Sequence, residues 1–173
     1  ASNQDNISPP GSPTVVITVI ENVSCFGLSD GEITATIVDG EGPYQYIWTV
    51  DGTDYAHRSV ATARTFPLPG LPAKDLAINI SHAPLCTHND TDKVTEPTEL
   101  ITGITADSLN CYNDATASLS ALPSGGTEPY TYAWSNSTTD STAIDLIAGS
   151  YTVIVTDDHD CEASADTLIV NPT

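Results

Sequence analysis

The sequence predicts an all-β protein built of two tandem β-sandwich domains, on three observations. The first is an internal repeat: Cys25 to Trp48 and Cys111 to Trp134 span the same interval of 23 positions, and both end in P-Y-x-Y-x-W. A repeat fixes the domain count before any other reading. The second is texture, with short β-branched or alternating apolar segments between Gly, Pro, Asn and Asp turns, and no segment with a helical period. The third is size, because 173 residues divide into two units of roughly 75 to 80 residues and about seven short strands each, the dimensions of a small sandwich.

Residues 1–14 are polar and contain Pro9, Pro10 and Pro13, so they read as a flexible lead-in. The first unit is assigned to 15–97 and the second to 98–173. Val15 to Ile20 is β-branched throughout and predicts the opening strand; Leu100 to Ile104 takes its place in the second copy. Glu32 to Val38 alternates, with Ile33, Ala35 and Ile37 on one face, and Ala115 to Leu119 matches it. After a glycine turn, period two puts Tyr44, Tyr46 and Trp48 on one face, and Tyr130, Tyr132 and Trp134 in the second copy. All six are read as core, Trp48 and Trp134 packing opposite a disulfide as in small sandwiches. Leu76 to Ile80 and Tyr151 to Val155 are equivalent strands, with Tyr151 on the core face. Ala165 to Val170 is the last strand, and Lys93 to Thr95 its shorter partner. The first copy carries extra length from Asp51 to Arg64. Glu96 to Glu99 is a short joint stiffened by Pro97, which predicts two units end to end in a rod of roughly 70–80 Å.

Small domains need staples, and four cysteines allow three connectivities. The repeat favours Cys25 with Cys86 and Cys111 with Cys161, so that each copy is stable on its own.

The net charge is -19, from 23 acids against four Lys and Arg. All four basic residues precede position 94, so the second copy has none. Such a field repels nucleic acid and anionic lipid, and it suits divalent cations or a saline exterior. No apolar run approaches the ~20 residues of a membrane span. No signal peptide is visible, and both ends look like processing boundaries.

Asp157, Asp158 and Asp160 crowd one hairpin. With Asp114 and backbone carbonyls they could chelate calcium, the one cofactor the sequence admits; the same residues also read as a solvated turn. The first copy has Ser81 to Leu85 there, with no acid. The four histidines, His57, His82, His88 and His159, lack metal spacing. No nucleophile elbow, phosphate loop or paired-carboxylate motif is present, so the chain is read as non-catalytic. A ligand surface would need exposed aromatics. Tyr55, Phe66, Phe26 and Tyr112 lie outside the P-Y-x-Y-x-W face, and Tyr55, Arg58, Arg64 and Phe66 mark the 51–69 region as the place for one. Asn22, Asn79, Asn89 and Asn136 stand in N-glycosylation patterns, and Asp107-Ser, Asp140-Ser and Asp166-Thr are similar to bacterial O-glycan acceptor motifs.

The second copy closely resembles the SprB repeat of Bacteroidetes surface adhesins, through Gly125-Gly126, Pro129, Tyr130, Tyr132, Trp134, Ala148-Gly149, Tyr151, Thr156-Asp157 and Cys161. It departs at Ala115 and Asp160, where glycine is usual. The first copy keeps Cys25, Asp30-Gly31, Gly40, Pro43, Tyr44, Tyr46 and Trp48, then diverges at Ala73-Lys74 and Leu76. The resemblance spans about 150 residues. It implies tandem immunoglobulin-like modules of a large secreted or outer-membrane-attached protein used in adhesion or gliding, with neighbouring repeats and surface glycans or proteins as partners. It supplies no catalytic residues.

Overall fold

A computed structural model describes residues 14–39, 42–61, 64–82, 86–107, 109, 111–112 and 114–172, including their side chains except at 56–61, 82 and 86. The lead-in therefore lies outside the described residues up to position 13. Among the described residues every regular element is a strand, and no helix is long and apolar enough to cross a membrane. The chain divides into two compact units. One holds the chain up to Val23 and from Gly27 to Glu96; the other holds Ser24–Phe26 and Pro97–Thr173.

The first unit is an immunoglobulin-like sandwich of seven strands: β1 (Thr14–Glu21), β2 (Gly31–Asp39), β3 (Tyr44–Val50), β4 (Thr53–Ala61), β5 (Thr65–Leu71), β6 (Asp75–His82) and β7 (Cys86–Lys93). They form one sheet in the order β1-β2-β5 and a second in the order β4-β3-β6-β7. Alternation in β2 buries Ile33, Ala35 and Ile37 on one face, as a half-buried antiparallel strand requires. The facing sheet contributes Tyr44, Trp48, Ile78 and Ile80, all fully enclosed.

The second unit repeats the plan with six strands: β8 (Ile101–Asp107), β9 (Ala117–Ser124), β10 (Thr131–Trp134), β11 (Thr142–Leu146), β12 (Gly149–Thr156) and β13 (Glu162–Ile169). Its sheets are β11-β9-β8 and β10-β12-β13. The strand without a counterpart is β4. The extra length from Asp51 to Arg64 turns at Asp51 and Gly52 and pairs back onto β3, whereas in the second copy a turn over residues 135–137, closed by Ser137 N–H to Trp134 O, takes its place. The last strand of the first unit also lies earlier than expected, because Cys86 to Lys93 pairs with β6 and Val94 is a buried residue beyond it.

The aromatic residues read as core divide into two groups. Tyr44, Trp48 and Trp134 are buried; Tyr46, Tyr130, Tyr132 and Tyr151 are half-buried and pack at the core margin, the hydroxyls of Tyr130 and Tyr151 donating to backbone carbonyls. The expected disulfide opposite the tryptophans is not there. Trp134 packs among Leu119, Val153 and Val155, and its indole N–H donates to Asp140 O at 3.0 Å. Tyr151, at the start of β12, donates its hydroxyl back to Ile147 O at 3.1 Å. This is a tyrosine corner, which pins the crossing from one sheet to the other. Leu76 occupies the matching place in the first unit and is buried instead. Tyr151→Phe removes this bond without removing the ring, so it is expected to lower unfolding free energy by about 1 kcal/mol, read as a reduced midpoint in urea denaturation.

Candidate functional site

In each sandwich the strand connections alternate between two poles, and that alternation sorts the candidate residues. In the second unit Asp107 pairs opposite Ser118, so the β8–β9 connection carrying Cys111 lies at the pole where β9 begins. Thr156 pairs opposite Thr131, and Asp158 N–H donates to Thr127 O at 3.0 Å. The β12–β13 turn therefore lies beside the β9–β10 loop, at the pole where β9 ends. The eight residues of β9 separate the two poles by roughly 23 Å.

The predicted pairing of Cys111 with Cys161 is thereby corrected. Disulfide Cα atoms lie within about 7 Å of each other, and these two cysteines sit at opposite poles. Cys25 with Cys86 fails for the same reason, because nine-residue β2 separates the β1–β2 connection from the β6–β7 end. The bond that forms is Cys25–Cys161, with Cα atoms 5.8 Å apart and a sequence separation of 136. Cys111 is exposed and free; Cys86 has its backbone in β7, and its side chain lies outside the described residues.

Asp157 organises the pole that holds this bond. The residue is 5% exposed. Thr127 N–H donates to Oδ2 at 2.8 Å, while His159 N–H and Cys161 N–H donate to Oδ1 at 2.9 and 3.0 Å. Asp157 N–H in turn donates to Cys161 O. Burial pushes this carboxyl up, but the three N–H donors and nearby His159 outweigh it and hold the group below the usual carboxylate range. The β9–β10 loop approaches so closely that a Cβ on Gly126, which has positive φ, would lie 2.6 Å from Asp157 Oδ2. Tyr130 closes the same loop by donating to Gly125 O at 2.7 Å. Desolvation, reinforced by Glu128 and Asp157, raises its phenol pKa.

These contacts change the metal reading. The oxygens of Asp157 are aimed at backbone donors. Asp158 and Asp160 point to solvent, and Asp114 lies at the far pole, where it accepts from Ala115 N–H. Among the described residues no group of three or more His, Cys, Asp or Glu converges on a metal position.

The proposed ligand surface is also not assembled. Phe66 is buried, its ring centroid 4.3 Å from that of Tyr46. Tyr55 is exposed near the start of β4, while Arg64 follows the other end of that strand, roughly 20 Å of extended chain away. The Arg58 side chain lies outside the described residues. Phe26 and Tyr112 are exposed, each immediately after the first cysteine of its repeat.

Sequence reasoning missed a shallow depression of about 510 Å³ on the first unit, lined by Thr49, Gly52, Asp75, Leu76, Ala77, Thr91, Asp92 and Lys93. It depends on the register that sets Thr49 beside Ala77 and Ala77 beside Thr91, which no local pattern announces. Lys93 lies 3.7 Å from Asp75. Nearby, Lys74 hydrogen-bonds Asp51 at 2.6 Å, which lowers the carboxyl pKa and raises that of the amine.

The stretches 17–53 and 103–139 each match the SprB repeat family model. Two stretches of the chain are thus similar to SprB repeats. Each match begins in the first strand of a sandwich and takes in the cysteine and the P-Y-x-Y-x-W segment. Solved structures similar to the chain include the mouse nectin-like molecule 4 ectodomain, at 14% identity and TM-score 0.44 over 93% of this chain and 64% of that one. A C-terminal intimin fragment, solved with the intimin-binding domain of the translocated intimin receptor, has 13% identity and TM-score 0.49 over 94% and 65%. Fibronectin(III)-like modules of Clostridium thermocellum CbhA have 14% identity and TM-score 0.40 over 90% and 94%. The chain thus spans less than two thirds of the length of the first two. No curated protein matches it.

Two outcomes test this pole. Asparagine offers one acceptor oxygen where Asp157 offers two, so Asp157→Asn leaves at least one buried N–H without an acceptor. The expected loss is about 2 kcal/mol, a melting midpoint lower by on the order of 10 °C. Because the folded carboxyl is the more acidic, its stabilisation is complete above the unfolded value of about 3.9. It is lost as pH falls through the lower folded value, and Asp157→Asn flattens that part of the stability profile measured by urea unfolding. Reduction of Cys25–Cys161 opens a ring closed across a sequence separation of 136 and is expected to cost about 2–4 kcal/mol, measured by thermal melts with and without a thiol reductant.

Proposed function

We propose that this chain is a non-catalytic, adhesive and load-bearing segment of a large repeat protein displayed at the cell surface. The observation that carries the reading is the pair of SprB repeats, whose core positions are kept in kind while their surfaces differ. Both sandwiches retain an aromatic face ending in a buried tryptophan. Only the first holds Lys or Arg, and only the first holds β4. Selection that keeps cores and releases surfaces suits a module whose work is to present and extend, with contacts varied from copy to copy. The strong negative charge opposes collapse among like modules and adhesion to anionic polymers. Attachment to the outer membrane belongs to this reading and rests on the family alone.

A second reading, a glycan- or protein-binding module, is favoured by the depression beside Lys93. Its mixture of hydroxyl, carboxylate and ammonium groups suits a polar, uncharged ligand.

Beads coated with the folded chain and exposed to shear on glass, agar and immobilised polysaccharides separate these readings. Adhesion is expected to exceed that of albumin-coated beads and to survive Lys93→Ala. Retention no better than albumin on every surface overturns the adhesive reading, and loss of retention on one glycan alone with Lys93→Ala establishes the second.

A further inference from the structure

We propose that Cys111 is the unfilled half of a disulfide to the last cysteine of a further SprB repeat, and that such repeats are closed by a cysteine lent from the repeat before. Cys25 and Cys111 are equivalent positions. Each follows the first strand of its repeat, precedes the second strand, and is followed by an exposed aromatic, Phe26 or Tyr112. Cys86 and Cys161 are equivalent as well, each ending the connection into the last strand.

The bond that exists joins the first cysteine of one repeat to the last cysteine of the next, Cys25 to Cys161. Ser24–Phe26 accordingly belongs to the second compact unit although β1 and β2 on either side belong to the first. Within a repeat the alternative is closed off, because its two cysteines lie at opposite poles of its own sandwich, about three times farther apart than a disulfide spans. Cys111 has the chemistry and the setting of Cys25 but no partner, and it is exposed. Its only equivalent in the chain is bonded, so the same rule names its partner as the counterpart of Cys161 in a following repeat.

Closure balances as an oxidation. The Cys111 thiol and the partner thiol give up two protons and two electrons, and a sulfur–sulfur bond forms between them. A small disulfide such as oxidised glutathione accepts the electrons and protons, its own sulfur–sulfur bond breaking into two thiols.

The sequence supplies the register for a test. Asn171-Pro172-Thr173 aligns with Glu96-Pro97-Thr98, so a copy of Glu99–Thr173 can be appended directly after Thr173 of the full chain. After refolding with oxidised and reduced glutathione, free thiols are alkylated and linked peptides are mapped by mass spectrometry. A protease that cuts at acidic residues is needed, because no Lys or Arg follows Lys93 and trypsin would leave Cys111 and Cys161 in one peptide. Tyr112→Phe and Glu162→Gln, at exposed positions, are made in the appended copy alone so that its cysteine peptides differ in mass from the originals. The expected map then has Cys25 linked to Cys161, Cys111 linked to the appended copy of Cys161, and the appended copy of Cys111 alkylated. A second extended chain carries a copy of Thr14–Thr98 after Thr173, marked by Thr87→Ser in the copy alone, and offers Cys111 the copied last cysteine of the first repeat, so the result does not hang on one appended unit. Linkage of Cys111 to the last cysteine of the appended unit in either chain supports the proposal. Alkylation of Cys111 in both chains, or its linkage to Cys161 of its own repeat, overturns it.

Discussion

Sheet-on-sheet packing is the constraint on which the rest of this protein depends. A strand with one buried face must find a second sheet to cover it, and a short chain meets that need by crossing between sheets at alternate ends. The crossings fix which loops are neighbours. They bring the β9–β10 loop against the β12–β13 turn, where Asp157 ties the two through backbone N–H groups. They also hold the two cysteines of one repeat at opposite ends of an eight- or nine-residue strand.

Asp157 illustrates how an acidic chain can hide a structural carboxylate among many solvated ones. Asp158 and Asp160 are neighbours in sequence and unlike it in role, because only Asp157 is carried inward by the turn. A buried carboxylate needs compensation, and three N–H donors provide it. This arrangement explains why the turn needs an acid in the second repeat without invoking a cation. The first repeat places no acid at Ser81 to Leu85, so its corresponding end cannot be held this way.

Divergence between the copies follows the same logic. Positions on the inner faces keep their chemical kind, since a change of volume there is felt by every neighbour. Outside them the first repeat has added an entire edge strand, β4, with the turn that launches it. Insertion at a sheet edge leaves the core intact, which makes it the least costly place to vary a surface. The basic residues, confined to this repeat, show that charge varies as freely as length.

The sequence by itself determined the number of units, their all-β character and the inward faces of Ile33, Ala35, Ile37, Trp48 and Trp134, because two-residue periodicity and an internal repeat are local signals. It also carried the two SprB stretches. Tertiary structure alone decided that Phe66 packs on Tyr46, that Asp157 turns inward, and that Tyr55 and Arg64 lie at opposite ends of β4. It alone decided the partner of Cys25. Each of these outcomes depends on which pole a loop occupies and which strand lies beside it. That is set by the closure of two sheets and by no pattern within reach of neighbouring residues.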